Sequence, residues 1–136
     1  MLKVLVFMPV LGAAAVAVLP GAQARWAWRV AMAFALGALG YAAWLAAGFD
    51  PAGPAVQYHE SRPWNVRLGS YFALGIDGIA LAMVLLTALL TLIAVLVSRR
   101  MEDGARLYFM LVLLLESAMF GVFTARDWSL FYVFWE

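Results

Sequence analysis

Ile79-Ala80-Leu81-Ala82-Met83-Val84-Leu85-Leu86-Thr87-Ala88-Leu89-Leu90-Thr91-Leu92-Ile93-Ala94-Val95-Leu96-Val97 carries no charge from end to end. Its length is close to the roughly 20 apolar residues that cross the hydrocarbon of a bilayer. Three more apolar runs lie outward from it, at Leu107 to Ala125, Trp26 to Ala47 and Val4 to Leu19, and each is long enough to span. A fifth starts at Trp128 as Trp-Ser-Leu-Phe-Tyr-Val-Phe-Trp and stops at Glu136, about 13 Å into a helix at 1.5 Å per residue. The fold expected is an all-α integral membrane protein with four complete transmembrane helices and a truncated fifth. A half-helix cannot satisfy its last carbonyls in hydrocarbon. Glu136 therefore reads as a fragmentary end, with the natural protein continuing beyond it.

Composition supports this solvent. Hydrophobic residues make up 67% of the chain and charged ones 12%, against roughly half and a quarter in a soluble domain. A formal net charge of +1, with no basic stripe between aromatic residues, excludes a nucleic-acid partner. The absence of cysteine excludes a disulfide framework, a thiolate metal site and a cysteine nucleophile. His59 is the one histidine and lies in a polar connection without a second ligand at metal spacing.

The connections carry stop and start signals. Pro20-Gly21 closes the first segment. The longest connection, 48–75, is read as extramembrane, and Pro51, Pro54 and Pro63 keep it irregular or extended rather than helical. It also holds Glu60, Arg62 and Trp64 as interface anchors. Asp77 and Asp127 each precede an apolar segment, where an Asp side chain accepts from the first free amides of a helix.

Charge sets the expected orientation. An N-terminus outside places Arg25, Arg29, Arg99, Arg100 and Arg106 in the cytoplasm and Lys3, Arg62, Arg67 and Arg126 on the other side, the direction of the positive-inside preference. A rival reading takes Lys3, the first apolar run and Ala22-Gln23-Ala24 as a cleavable leader. That reading would invert the better charge assignment, so the uncleaved helix is favoured.

Only Glu116 and Glu136 are ionisable at depth within the apolar segments. Such residues are costly in lipid and usually face a bundle interior or a wet cavity, where they carry ions or protons. The alternative is a neutral Glu hydrogen-bonded between helices for packing. Ser129, Tyr132 and Glu136 are spaced by three and four and share one helix face, so Tyr132 and Ser129 are candidates to support the carboxylate. Ala80, Val84, Thr87, Thr91 and Ala94 form a small and hydroxylated face suited to helix packing. No nucleophile and base pair, phosphate-cradling loop or metal constellation is visible. An independent active site, a bound cofactor and a bound metal are therefore not expected in this chain.

Two stretches resemble a known family: Leu74-Gly75-Ile76-Asp77-Gly78-Ile79-Ala80-Leu81 with Val84-Leu85-Leu86-Thr87, and Gly121-Val122-Phe123 with Phe131-Tyr132-Val133-Phe134-Trp135-Glu136. Both are similar to NADH-quinone oxidoreductase subunit M, a proton-translocating, antiporter-like subunit of respiratory complex I. Glu60, Arg62-Pro63-Trp64 and Leu113-Leu114-Leu115-Glu116 also fit, and the first third matches mainly by hydropathy. The resemblance implies a proton-channel glutamate at Glu136 and an assisting acid at Glu116. It implies a protein of about fourteen helices with inverted repeats and a lysine partner on a later helix. One departure is Ala80, where the family usually has Ser.

It further implies partners in the other membrane-arm subunits, with NADH, flavin, iron-sulfur clusters and quinone held by other subunits. The setting would be the inner membrane of a bacterium, with a periplasmic N-terminus. Mrp-type sodium/proton antiporters and membrane-bound hydrogenases use homologous subunits and form the alternative. A truncated, non-transporting membrane fragment is another.

Overall fold

The computed structural model describes residues 1–19, 24–65, 67, 69–101 and 103–136 and, of residues 24 and 25, the backbone alone. The expected Pro20-Gly21 stop and the Ala22-Gln23 part of the leader-like site lie outside the described residues. In chain order the elements are α1 (Leu2–Val18), α2 (Ala24–Ala47), β1 (Gln57–Asn65), β2 (Ser70–Ile76), α3 (Gly78–Val97), a 3-10 turn (Ser98–Arg100), α4 (Ala105–Thr124) and α5 (Trp128–Trp135).

Local chemistry sets the helix ends. Asp77 is the N-cap of α3, its Oδ1 accepting from the Ala80 N–H at 2.8 Å. Asp127 caps α5 in the same way, with Ser129 N–H at 2.9 Å and Leu130 N–H at 3.3 Å. Each satisfies donors that a helix start leaves orphaned. Leu19 leaves helical geometry at ψ 127, as expected for a residue preceding a proline.

Among the described residues three helices are long and apolar enough to cross a membrane: Trp26–Ala47, Gly78–Arg100 and Ala105–Thr124. The chain is a helical membrane protein. α1 is apolar but has only 17 residues, roughly 25 Å of helix against about 30 Å of hydrocarbon. The expectation of four full-length spans is thus met by three, with α1 the short one.

The 48–75 connection is more regular than its prolines suggest. β1 and β2 form a two-stranded antiparallel hairpin, an addition to the helical fold expected. Pro63 sits opposite Tyr71 just before a register irregularity, a position where a strand without an N–H is tolerated. Tyr58 takes a left-handed φ of 54 beside the other irregularity. That conformation is unfavourable for a bulky residue, and here the Tyr58 hydroxyl donates to the Leu45 carbonyl at 3.1 Å, in the last turn of α2. Gly48 makes room for it, since a Cβ there would lie 2.7 Å from the Tyr58 oxygen. Expected as interface anchors, Trp64 is about half exposed, whereas Glu60 accepts the Leu2 N–H at 2.9 Å and pairs with Lys3 at 3.4 Å.

Side-chain ties give the helix directions. The Tyr41 hydroxyl reaches the Met1 carbonyl, Arg106 reaches the Leu19 carbonyl, and Asp77 with Arg126 and Ser98 with Tyr108 join the two ends of α3 and α4. Helices α1 to α4 therefore run up and down in alternation, with the hairpin at one end. α4 packs most extensively on α1. Two apolar clusters fill the bundle. One, on the hairpin side, includes Leu5, Val6, Ala38, Leu74, Val84 and Phe120. The other, on the far side, includes Ala13, Val16, Ala31, Val95, Phe109 and Leu113.

Candidate functional site

Glu116 lies between Leu113 of one cluster and Phe120 of the other, along the buried face of α4. Its side chain is 0% exposed, and neither carboxyl oxygen has a hydrogen-bond partner. A buried carboxyl in that state is costly unless it is neutral or finds water. Its neighbour Ser117 is buried as well and donates to the Val6 carbonyl of α1 at 2.6 Å.

Counting ten residues along α3 and α4 from the Asp77–Arg126 pair brings Thr87 level with Glu116, about 15 Å inward. Thr87 and Thr91 are both buried, and the Thr87 hydroxyl donates to the Met83 carbonyl of its own helix at 2.8 Å. Glu116, Ser117 and Thr87 thus form a polar layer at about one depth, between Leu113 of one apolar cluster and Phe120 of the other, with Thr91 one turn further along α3. Ser117 and Thr87 spend their protons on carbonyls, so they turn only lone pairs towards the layer.

The second glutamate is placed differently. α5 folds back along α4 with Leu130 buried and Phe134 over Gly121, where a Cβ would run into the ring. Ser129, Tyr132 and Glu136 lie on another side of this helix. Ser129 is half-buried, Tyr132 is 62% exposed and Glu136 is exposed. The structure therefore places the expected stripe on the outer face of α5 and Glu116 inside the bundle, so the two carboxyls share an approximate depth without meeting. A shallow cleft of about 320 Å³ at the α4–α5 turn is lined by Ala125, Arg126, Asp127, Trp128 and Phe131, and neither glutamate lines it.

Several contributors were not anticipated. Arg126 Nη2 donates to Asp77 Oδ2 at 2.7 Å, its backbone N–H donates to the Ala73 carbonyl at 2.9 Å, and Asp127 Oδ2 accepts the Tyr71 N–H at 3.2 Å. The start of α5 is thereby tied to both the hairpin and α3. The capping bond from the Ala80 N–H and the Arg126 guanidinium hold the Asp77 carboxyl below its usual range, against a smaller upward push from burial. Among the described residues, no group of three or more His, Cys, Asp or Glu could hold a metal ion.

A helical membrane bundle with an acidic residue buried at its mid-plane defines a class with known members. No protein-family model matches the chain. It is 36% identical over 141 residues to NADH-quinone oxidoreductase subunit M of Rhodobacter capsulatus, covering 100% of this chain and 27% of that protein. It is 35% identical over 138 residues to NAD(P)H-quinone oxidoreductase chain 4 1 of Synechococcus sp. (strain JA-2-3B'a(2-13)), covering 99% and 25% respectively. Among solved structures it is similar to a chain of respiratory complex I from Thermus thermophilus with bound NADH. That match has a TM-score of 0.79 and 26% identity, over 98% of this chain and 26% of that one. The chain is thus a homologue, along its whole length, of the subunit M and chain 4 proteins of quinone oxidoreductases, and it spans about a quarter of the length of those relatives.

Proposed function

We propose that this protein is part of a membrane-arm subunit of an NADH-quinone oxidoreductase and contributes to proton translocation coupled to electron transfer. The observation that carries this reading is Glu116, fully buried and unpartnered in the polar layer of a transmembrane bundle, in a chain homologous throughout to subunit M. Buried acids at such depth in membrane helices serve ion and proton paths more often than packing. Glu136 is the second proton-carrying residue, with Tyr132 and Ser129 in support. The outer face of α5 is where further helices of a longer protein, of the relatives' length, would close that half of the path.

The chain has no active site of its own in this reading. NADH, flavin, iron-sulfur clusters and quinone belong to other subunits, the other membrane-arm subunits are its partners, and the site is the inner membrane of a bacterium. The basic end carrying Arg29, Arg99, Arg100 and Arg106 faces the cytoplasm, the N-terminus is periplasmic, and residues 48–75 lie outside the membrane.

The test uses the full-length protein in its assembled complex. Glu136→Ala should abolish most coupled pumping, Glu136→Asp should keep part of it, and Glu116→Ala should be milder. Glu116→Leu should also raise thermal stability, by about 1–3 kcal/mol, because an unpartnered polar group leaves the core. A Glu that served packing would instead destabilise on removal. Pumping by Glu136→Ala at the unmutated rate would sink the assignment.

A further inference from the structure

We propose that the end of the bundle away from the hairpin binds the phosphate headgroup of an anionic lipid through Arg29, Arg99 and Arg100. The Arg29 guanidinium lies 5.0 Å from the centroid of the Trp26 ring and that of Arg99 5.4 Å from Trp28. Trp28 is itself fixed, its Nε1–H donating to the Val95 carbonyl at 2.9 Å in the last turn of α3. A guanidinium over an indole face is attracted to it without using its N–H donors. The donors stay available for a planar, bidentate acceptor, the geometry of phosphate.

Charge accounting points the same way. At the hairpin end, Lys3 and Arg126 meet carboxylates of Glu60 and Asp77. At the far end, Arg106 donates to the Leu19 carbonyl at 3.2 Å, and among the described residues no carboxylate pairs with Arg29, Arg99 or Arg100, nor with Arg62 or Arg67 at the hairpin end; the far end differs in that Arg29 and Arg99 lie over indole faces. Apolar side chains at the same end are exposed: Val97 is 79% exposed, Val18 81%, and Leu96 and Trp26 each 50%. Cations with exposed apolar side chains beside them fit a headgroup with its acyl chains. Free phosphate has no use for the apolar side chains. Tryptophan at headgroup level is the usual companion of such a site, and each arginine near an anionic surface is worth about fivefold in affinity.

The experiment measures the relative association of spin-labelled phosphatidylglycerol and phosphatidylcholine with the full-length protein in phosphatidylcholine vesicles. Wild type should prefer the anionic lipid about fivefold or more, and the preference should shrink in high salt. Arg99→Gln with Arg100→Gln should bring it close to parity, while Arg62→Gln with Arg67→Gln at the hairpin end should leave it unchanged. Arg99→Lys, which keeps the charge and loses the fork, should cost about twofold and remains informative if the double variant does not fold. A folded Arg99→Gln/Arg100→Gln protein with the full preference would overturn the proposal. So would an equal loss in the hairpin variant, or displacement of the lipid by millimolar inorganic phosphate.

Discussion

The two ends of the helical bundle solve the same problem by different chemistry. At the hairpin end, adjacent residues Arg126 and Asp127 make three directional bonds to two elements: to Asp77 at the α3 cap, and to the Ala73 carbonyl and the Tyr71 N–H of β2. Each aspartate caps a helix with one oxygen and bridges to a neighbour with the other. At the far end, among the described residues, there is no hairpin, and the contacts include an indole N–H on Val95, a Ser98–Tyr108 hydroxyl pair and Arg106 on Leu19. The first end is a set of short, mutually dependent bonds that fix where α5 begins. The second holds its helices chiefly by packing and leaves guanidiniums over aromatic rings. The difference teaches that formal charge alone does not tell a structural cation from one available to the surroundings. Its bonding partners do.

Three changes would break or sharpen this contrast, each read as thermal unfolding of the full-length protein in detergent. Asp127→Ala should have the largest effect, about 1–2 kcal/mol, because it removes an N-cap and the acceptor for Tyr71 together. A loss no larger than that of an exposed surface residue would mean that the hairpin does not hold α5. Trp28→Phe should cost about 1 kcal/mol through the lost bond to Val95 and the weaker ring face for Arg99. A cost greater than that of Asp127→Ala would reverse the ranking of the two ends.

Asp77→Asn should be smallest, under about 1 kcal/mol, since Asn caps as well as Asp and only the partly exposed pair with Arg126 is lost. Its signature is pH dependence. The folded carboxyl sits below its ordinary value, so its contribution is complete above the unfolded value near 3.9 and fades as pH falls through the lower folded value. In Asp77→Asn that part of the acid sensitivity should vanish, and an unchanged acid profile would show that the pair contributes nothing.

Much of this was legible beforehand in particular residues. The apolar runs placed α2, α3 and α4, and Asp77 and Asp127 announced the starts of α3 and α5 through the chemistry of a short acceptor at a helix N-terminus. Glu116 and Glu136 stood out because acids are rare where hydrocarbon is the solvent. The hairpin was not legible: Pro51, Pro54 and Pro63 argue against helix, but register depends on the partner strand. Nor was the Asp77–Arg126 pair, whose members lie 49 positions apart and meet only because α3 and α4 run antiparallel. The Ser129, Tyr132 and Glu136 face followed from helical spacing, but spacing gives no direction for that face.

Solvent and the helical elements were determined by the sequence alone, because lipid transfer and end-capping are local properties of a residue and its near neighbours. Which side of each helix looks inward came from the packing. A helix that is apolar all round has no face that water could select, so lipid leaves its rotation undetermined and neighbouring helices set it. Ser117 on the Val6 carbonyl and Phe134 over Gly121 are the contacts that turn Glu116 into the bundle and leave Tyr132 and Glu136 outside it.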